Sequence, residues 1–316
     1  MLITHFSQVT PEWLSHVLGC PVVGIEAAES TSSWASHQKI AATLEDGSTR
    51  KLWLKLCLGD TFGRSEVDYY TRDYVDLPGA PLIPCYDAHY EAGKGYHILL
   101  EDLSETYADR KVVAPTLEYA LALATALARL HKHQWGKGTP RSSGDWAAYF
   151  DHIRPGVPNL EAATGLTLSA NFDRHAEQLV QRWSNPIGLT LLHGDVNPTN
   201  VLTPRDADFP IYILDRQPFD WAILYGLAAS DLAYAVVPWW PYDFRKEHEE
   251  AILRCWHEAL DAPEYSWELA QDDWELSVEH CLHVPIEWCS KSDDVEGMRW
   301  LWGWQLGNML GPEAPK

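Results

Sequence analysis

The chain has 316 residues, 46% of them hydrophobic, with 16 tryptophans and a formal net charge of −21. That length suffices for a large core or for two packed lobes. The acidity excludes a nucleic-acid partner, whose phosphates demand a basic face; no low-complexity tract signals disorder, and no apolar run is long enough to cross a membrane.

In chain order, Thr10-Pro11-Glu12 reads as the cap and first turn of a short helix that Gly19 stops. Residues 21–28 read as a strand, 29–36 as a small polar connection, 36–44 as a second strand, 45–48 as a tight hairpin turn and 51–57 as a third strand. Lys51 and Lys55 share one face of that third strand by its two-residue period. Lys51 lies beside the turn, and Lys55 sits deeper, between Leu54 and Leu56. Residues 60–75 have helical spacing, with Val67, Tyr70 and Tyr74 on one face and the acids Glu66 and Asp68 near its start. Residues 81–86 and 95–100 read as strands around a turn at Gly93, and the second runs out through Glu101, Asp102 and Leu103. From residue 115 the pattern changes. Residues 116–131, rich in Ala and Leu, predict a buried central helix, and 171–183 predict another.

The most informative stretch is Leu191-Leu-His-Gly-Asp-Val-Asn-Pro-Thr-Asn-Val-Leu202. Two apolar strands flank a polar loop, an arrangement that holds side chains rigidly at a surface. Ile211 to Asp215 is a further apolar run that ends in a carboxylate. Asp195 offers a carboxylate able to receive a proton. Asn200 and Asp215 offer the hard oxygens that Mg²⁺ prefers, and Mg²⁺ commonly takes only one or two protein ligands plus substrate phosphates. That combination suits phosphoryl transfer.

His193-Gly-Asp-x-x-x-x-Asn200, followed by a strand and Asp215, resembles the catalytic core of the aminoglycoside phosphotransferase-like kinases and their choline and ecdysteroid kinase-like branches. The resemblance implies an α+β, bilobal protein-kinase-like fold, with a small antiparallel sheet in an amino-terminal nucleotide-binding lobe (1–102) and a larger, mainly helical lobe (103–316). It implies Asp195 as catalytic base, Asn200 and Asp215 as metal ligands, and Lys55, steadied by Glu66, as the lysine on the α- and β-phosphates. Asp68 competes with Glu66. It further implies that Thr31, Ser32 and Ser33 cover the phosphates in place of a glycine-rich loop, and that backbone groups of Glu101, Asp102 and Leu103 read the base. His193 is expected to fix the loop, with a minority reading as the base itself. Asp231, in Asp-Leu-Ala, is expected to brace the loop through backbone hydrogen bonds. Arg216 departs from the family, which usually has an apolar or aromatic residue there, and puts the packing of the metal loop in question. Gly194 stands where protein kinases carry Arg, and no Asp-Phe-Gly or Ala-Pro-Glu element occurs, so the acceptor is expected to be a small molecule.

The expected activity is therefore transfer of the γ-phosphoryl group of ATP or GTP, with Mg²⁺, to a substrate hydroxyl; a catalytically silent nucleotide- or ligand-binding protein on the same fold is the alternative. From Asp243 onward acids outnumber bases roughly three to one, and this Trp-rich region predicts an acceptor that is cationic or compatible with aromatic rings, such as an aminoglycoside or amino alcohol. The six scattered cysteines, none in a Cys-x-x-Cys pair, read as buried free thiols. Cys281, His283 and Cys289 fit no common zinc spacing. Residues 1–7 lack a basic segment followed by an apolar one, so no export signal is visible; cytoplasmic placement is expected.

Overall fold

The computed structural model describes residues 1–31, 35–59, 62–138, 143–216 and 224–314. Contacts divide the chain into two compact units: Met1–Asp109 with Leu202–Asp220, and Arg110–Val201 with Trp221–Lys316.

In the first unit, α1 (Pro11–Leu18) begins where the Thr10 hydroxyl accepts the Trp13 amide at 3.2 Å, and it ends at Gly19, whose φ of 67° needs no Cβ. Five strands then form an antiparallel sheet: β1 (Val22–Thr31), β2 (Ser36–Leu44), β3 (Thr49–Leu58), β4 (Cys85–Glu91) and β5 (Gly95–Glu101), in the order β1-β2-β3-β5-β4. Strand alternation sends Leu52, Leu54 and Leu56 of the central β3 into one core with Ile3, Leu14, Ile40 and Leu99. Lys55, on the opposite face, is also buried.

Three expectations are corrected. The polar residues 29–31 belong to β1, because their backbone groups pair with Gln38, His37 and Ser36 of β2; pairing overrides side-chain polarity. The strand expected from residue 81 begins at Cys85, since Pro81 and Pro84 have no N–H to donate. In place of one helix over 60–75 there is a short α2 (Ser65–Asp68) running into a π-helical turn at Tyr69–Asp73. Such turns widen a helix and recur at functional sites.

The first unit also takes in chain from beyond residue 201. Strands β6 (Tyr107–Asp109), β8 (Val201–Pro204) and β9 (Tyr212–Ile213) make a three-stranded sheet. The Tyr69 hydroxyl donates to Ile213 O at 3.1 Å, and the Ile213 amide to Pro81 O at 2.8 Å. These bonds tie Leu202–Asp220 to the first unit, where a cut near residue 102 on sequence alone leaves it in the second.

The second unit is mainly helical. Helix α3 (Leu117–Gln134) is capped by Thr116, and β7 (Leu189–Leu191) pairs with β10 (Tyr225–Leu227). The remaining helices are α4 (Ser143–Ile153), α5 (Gly156–Thr164), α6 (Ser169–Trp183), α7 (Ala228–Val236), α8 (Tyr242–Leu260), α9 (Trp267–His280), α10 (His283–Trp288), α11 (Asp294–Gly297) and α12 (Arg299–Leu310). Many of the tryptophans are core, among them Trp146 stacked on Trp183, Trp256 and Trp302, but Trp300 and Trp304 are exposed. Among the described residues no helix is long and apolar enough to cross a membrane, and the six cysteines form no disulfide.

Candidate active site

The loop after β7 is fastened by one carboxylate. Asp231, on the first turn of α7, accepts the amides of His193 at 2.6 Å and Gly194 at 2.8 Å. Its third contact is His131 Nε2 at 3.2 Å. Trp256 Nε1 donates to His131 Nδ1 at 3.1 Å, so the proton of the neutral ring sits on Nε2 and points at Asp231. Burial works against the Asp231 carboxylate, but the His131 ring and the His193 amide outweigh it and hold its pKa below the usual aspartate value. His193 in turn accepts the Asp195 amide on Nδ1 at 3.2 Å. This bond fixes backbone, and Gly194, at φ 80°, makes the bend that a Cβ would resist.

The Asp195 carboxylate is held from both sides. Tyr234 Oη donates to Oδ1 at 2.8 Å and Asn197 Nδ2 to the same oxygen at 3.0 Å; Asn200 Nδ2 donates to Oδ2 at 3.0 Å and to the Asp195 carbonyl at 2.9 Å. A carboxylate held by several donors keeps one orientation. Burial, and then the charge of Asp195, push the Tyr234 phenol far above its ordinary pKa, so it stays a donor. Sequence reading passed over Tyr234 as a site residue. The available signal was its place three residues after Asp231, which puts both on one helix face.

In the first unit, Lys55 is 7% exposed and sits between two carboxylates. Its ammonium donates to Glu66 Oε2 at 2.8 Å and to Asp215 Oδ1. Burial disfavours the charged ammonium, and Glu66 and Asp215 more than reverse this, so its pKa lies above that of an ordinary lysine. Tyr96 Oη donates to Glu66 Oε2 at 2.5 Å. The two alternatives left open by sequence go elsewhere. Lys51 is exposed and pairs with Glu105 at 2.5 Å, and Asp68 pairs with Arg64 and Arg72. Asp215 has φ 65°, a left-handed conformation that costs a non-glycine residue of order 1 kcal/mol and persists where surrounding contacts over-determine it.

Arg216 supplies such contacts. It is 1% exposed, donates to Asp73 Oδ2 at 2.5 Å and to Ser65 O at 2.7 Å, and lies over the Tyr69 ring. The residue that departs from the family pattern thus packs the loop by an ion pair instead of an aromatic ring.

Of residues 101–103, the amides of Glu101 and Asp102 donate to Pro84 O and Lys51 O, and the Leu103 carbonyl accepts from Thr106 and Tyr107. The Leu103 amide is left as the backbone donor with no partner among the described residues. Ser32 and Ser33 lie outside the described residues.

The donor chemistry fits a hard cation. The Asn200 amide nitrogen is committed to Asp195, and among the described residues its oxygen meets only the Thr199 hydroxyl, at 3.3 Å. Asp215, in the first unit, separately offers a carboxylate oxygen. Hard oxygens of this kind suit Mg²⁺. Among the described residues no cluster of three His, Cys, Asp or Glu side chains could hold a metal alone.

Comparison with solved structures identifies the architecture. The chain is similar to a microcompartment-associated aminopropanol kinase (TM-score 0.55, 15% identity, covering 94% of this chain and 95% of that one). It is also similar to a candidate fructosamine-3-kinase from Thermobifida fusca YX-ER1 (0.54, 16%, 95% and 98%) and to the macrolide 2′-phosphotransferase of Brachybacterium faecium (0.50, 18%, 95% and 97%). The chain has the fold of the small-molecule kinases. No family model matches its sequence, and no curated protein does. The kinase-like fold expected from the sequence, an antiparallel amino-terminal sheet followed by a mainly helical part, is the one observed.

Proposed function

We propose that this chain is an O-phosphotransferase that moves the γ-phosphoryl group of ATP or GTP to a hydroxyl of a small molecule. The observation that carries this reading is the Lys55–Glu66–Asp215 group. Three residues 11 and 160 positions apart in sequence meet around one buried ammonium, on a fold shared with named phosphotransferases. A buried lysine between carboxylates is a costly arrangement that suits a site built to exchange one anion for another, here a phosphate oxygen.

In this reading Lys55 neutralises phosphate charge, the Leu103 amide donates to the base, and Asn200 and Asp215 hold Mg²⁺. The metal's contribution is to offset the charge of the phosphate oxygens. Asp195 Oδ1 or Oδ2 accepts the acceptor's hydroxyl proton and aims its oxygen at the γ-phosphorus. Tyr234, Asn197 and Asn200 keep that carboxylate in place, and His193 and Asp231 keep its backbone in place. Phosphoryl transfer needs position and electrostatics more than covalent chemistry, so this short set of side chains suffices.

The test is thermal unfolding with Mg²⁺-ATP or Mg²⁺-GTP, wild type beside Asp215→Ala, followed by detection of phosphate transfer. Binding to the native state raises the midpoint by mass action. A rise that shrinks in the variant supports the proposal. A well-folded protein that shows no shift with either nucleotide refutes it, and a shift without transfer to any alcohol leaves the silent binder as the better reading.

A further inference from the structure

Within the helical unit lies a cavity of about 70 Å³, lined by Gly194 and Asp231 of the Asp195 loop and its brace, by Tyr149, Ser230, Tyr234, Ser277, His280 and His283, and by apolar side chains. Tyr234 links this cavity to Asp195 through its 2.8 Å hydrogen bond. The volume is too small for a drug-sized molecule and large enough for a short hydroxylated arm.

The polar groups of one wall form a chain whose direction is fixed from one end. His175 Nε2 meets Leu276 O at 3.0 Å, so that nitrogen carries the proton. Its other nitrogen then accepts from His283 Nε2 at 3.2 Å. His283 Nδ1 therefore accepts the Tyr149 hydroxyl at 3.0 Å, and the Tyr149 oxygen accepts His280 Nε2–H at 2.8 Å. The chain ends on His280 Nδ1, a bare acceptor with no partner among the described residues, on a ring that lines the cavity. Each ring is neutral in this pattern. Burial pushes the pKa of all three histidines down, that of His280 to about 3 with the neighbouring His175 adding to it. The one carboxylate of the lining, Asp231, is spent on two amides and His131. The Ser230 and Ser277 hydroxyls, 3.2 Å apart, add polarity without charge.

We propose that this cavity binds an uncharged, hydroxyl-bearing arm of the acceptor, with His280 Nδ1 taking its hydrogen bond, and that it discriminates against an ammonium in the same place. This rests on the phosphotransferase reading for the word acceptor, but not for the binding itself. The wall presents no carboxylate oxygen free of a hydrogen bond, so an ammonium placed there would be buried without an ion-pair partner. The overall acidity of the chain points the other way, towards a cationic acceptor, but net charge acts at long range, and the cavity wall decides at contact.

The experiment compares butane-2,3-diol with 3-aminobutan-2-ol, one skeleton with and without an ammonium, by titrating the intrinsic tryptophan fluorescence of the full chain without nucleotide. Phosphate transfer from Mg²⁺-ATP to the same pair is measured separately. The diol is expected to bind about tenfold tighter or more, the ratio that 1.4 kcal/mol gives. His280→Phe is expected to weaken diol binding, and Ser277→Asp to narrow or reverse the preference. Equal or tighter binding of the amino alcohol by wild type overturns the proposal, as does undiminished diol binding in a folded His280→Phe, or no saturable signal with the diol. Selective diol binding upholds the cavity whether or not phosphate is transferred; the phosphotransferase reading falls only if no alcohol accepts phosphate from Mg²⁺-ATP.

Discussion

Arg216 and Asp73 form a buried ion pair, 2.5 Å from Nη2 to Oδ2, that ties the residue next to Asp215 to the end of the helical segment carrying Glu66. The pair is imperfect, because Arg216 Nε and Nη1 are buried with no hydrogen-bond partner among the described residues. Breaking it by Arg216→Met strands the Asp73 charge, and the expected loss is about 3–5 kcal/mol of stability. The double change Arg216→Met with Asp73→Leu removes both charges and is expected to recover most of that loss. Urea unfolding of the two single variants and the double variant measures the coupling. Additive losses show that the pair contributes nothing specific.

Tyr234→Phe tests how Asp195 is held. It deletes one donor and leaves the ring. A hydrogen bond to a charged group contributes about 1.5–3 kcal/mol, so kcat with a transferable acceptor is expected to fall roughly ten- to hundredfold. The nucleotide-dependent rise in unfolding midpoint is expected to stay as in wild type, since Tyr234 serves the acceptor side of the chemistry. An unchanged kcat assigns the phenol a packing role alone.

How far this site was legible in the sequence depends on the range of each contact. Asp195, His193 and Asn200 lie in one loop, bonded to one another across two to five residues, so a short motif and its family resemblance singled them out, whereas their ties to Asp231 and Tyr234 cross 38 and 39 residues. Lys55 was separable from Lys51 by its apolar neighbours, but its choice of Glu66 over Asp68 needed the fold. The π-helical turn at Tyr69–Asp73 sits among contacts made far along the chain, such as Tyr69 with Ile213, which local periodicity does not encode, whereas the strand start at Cys85 follows from Pro81 and Pro84 and was open to sequence reading. Arg216 was visible as an anomaly without an explanation, because its partners are 143 and 151 residues away. The histidine chain was hidden more deeply, since His175, His280 and His283 come from three helices and Tyr149 from a fourth.

Asp231→Ala removes the acceptor shared by the His193 and Gly194 amides. Two donors in the loop are then left unpaired, at about 1–3 kcal/mol for each that stays buried. The variant is expected to lose roughly 2–5 kcal/mol of stability by the same principle, and its loop amides to lose hydrogen-exchange protection before the rest of the helical unit. Loop amides that exchange no faster than in wild type, with stability unchanged, contradict the bracing role.

Acid sensitivity follows from the histidine chain. Burial sets the folded pKa of His175, His280 and His283 below the unfolded value of about 6.5. Below that pH the unfolded chain gains protons that the folded chain does not, so stability is complete above pH 6.5 and falls as the pH drops towards the folded pKa. For His280, at about 3 when folded, the loss between pH 7 and pH 5 comes to about 2 kcal/mol, at 1.36 kcal/mol per unit. Urea unfolding at both pH values measures it, and His280→Phe, which takes one such group out of both states, is expected to lose less stability over the same interval. Equal losses in the variant and the wild type place the acid sensitivity elsewhere.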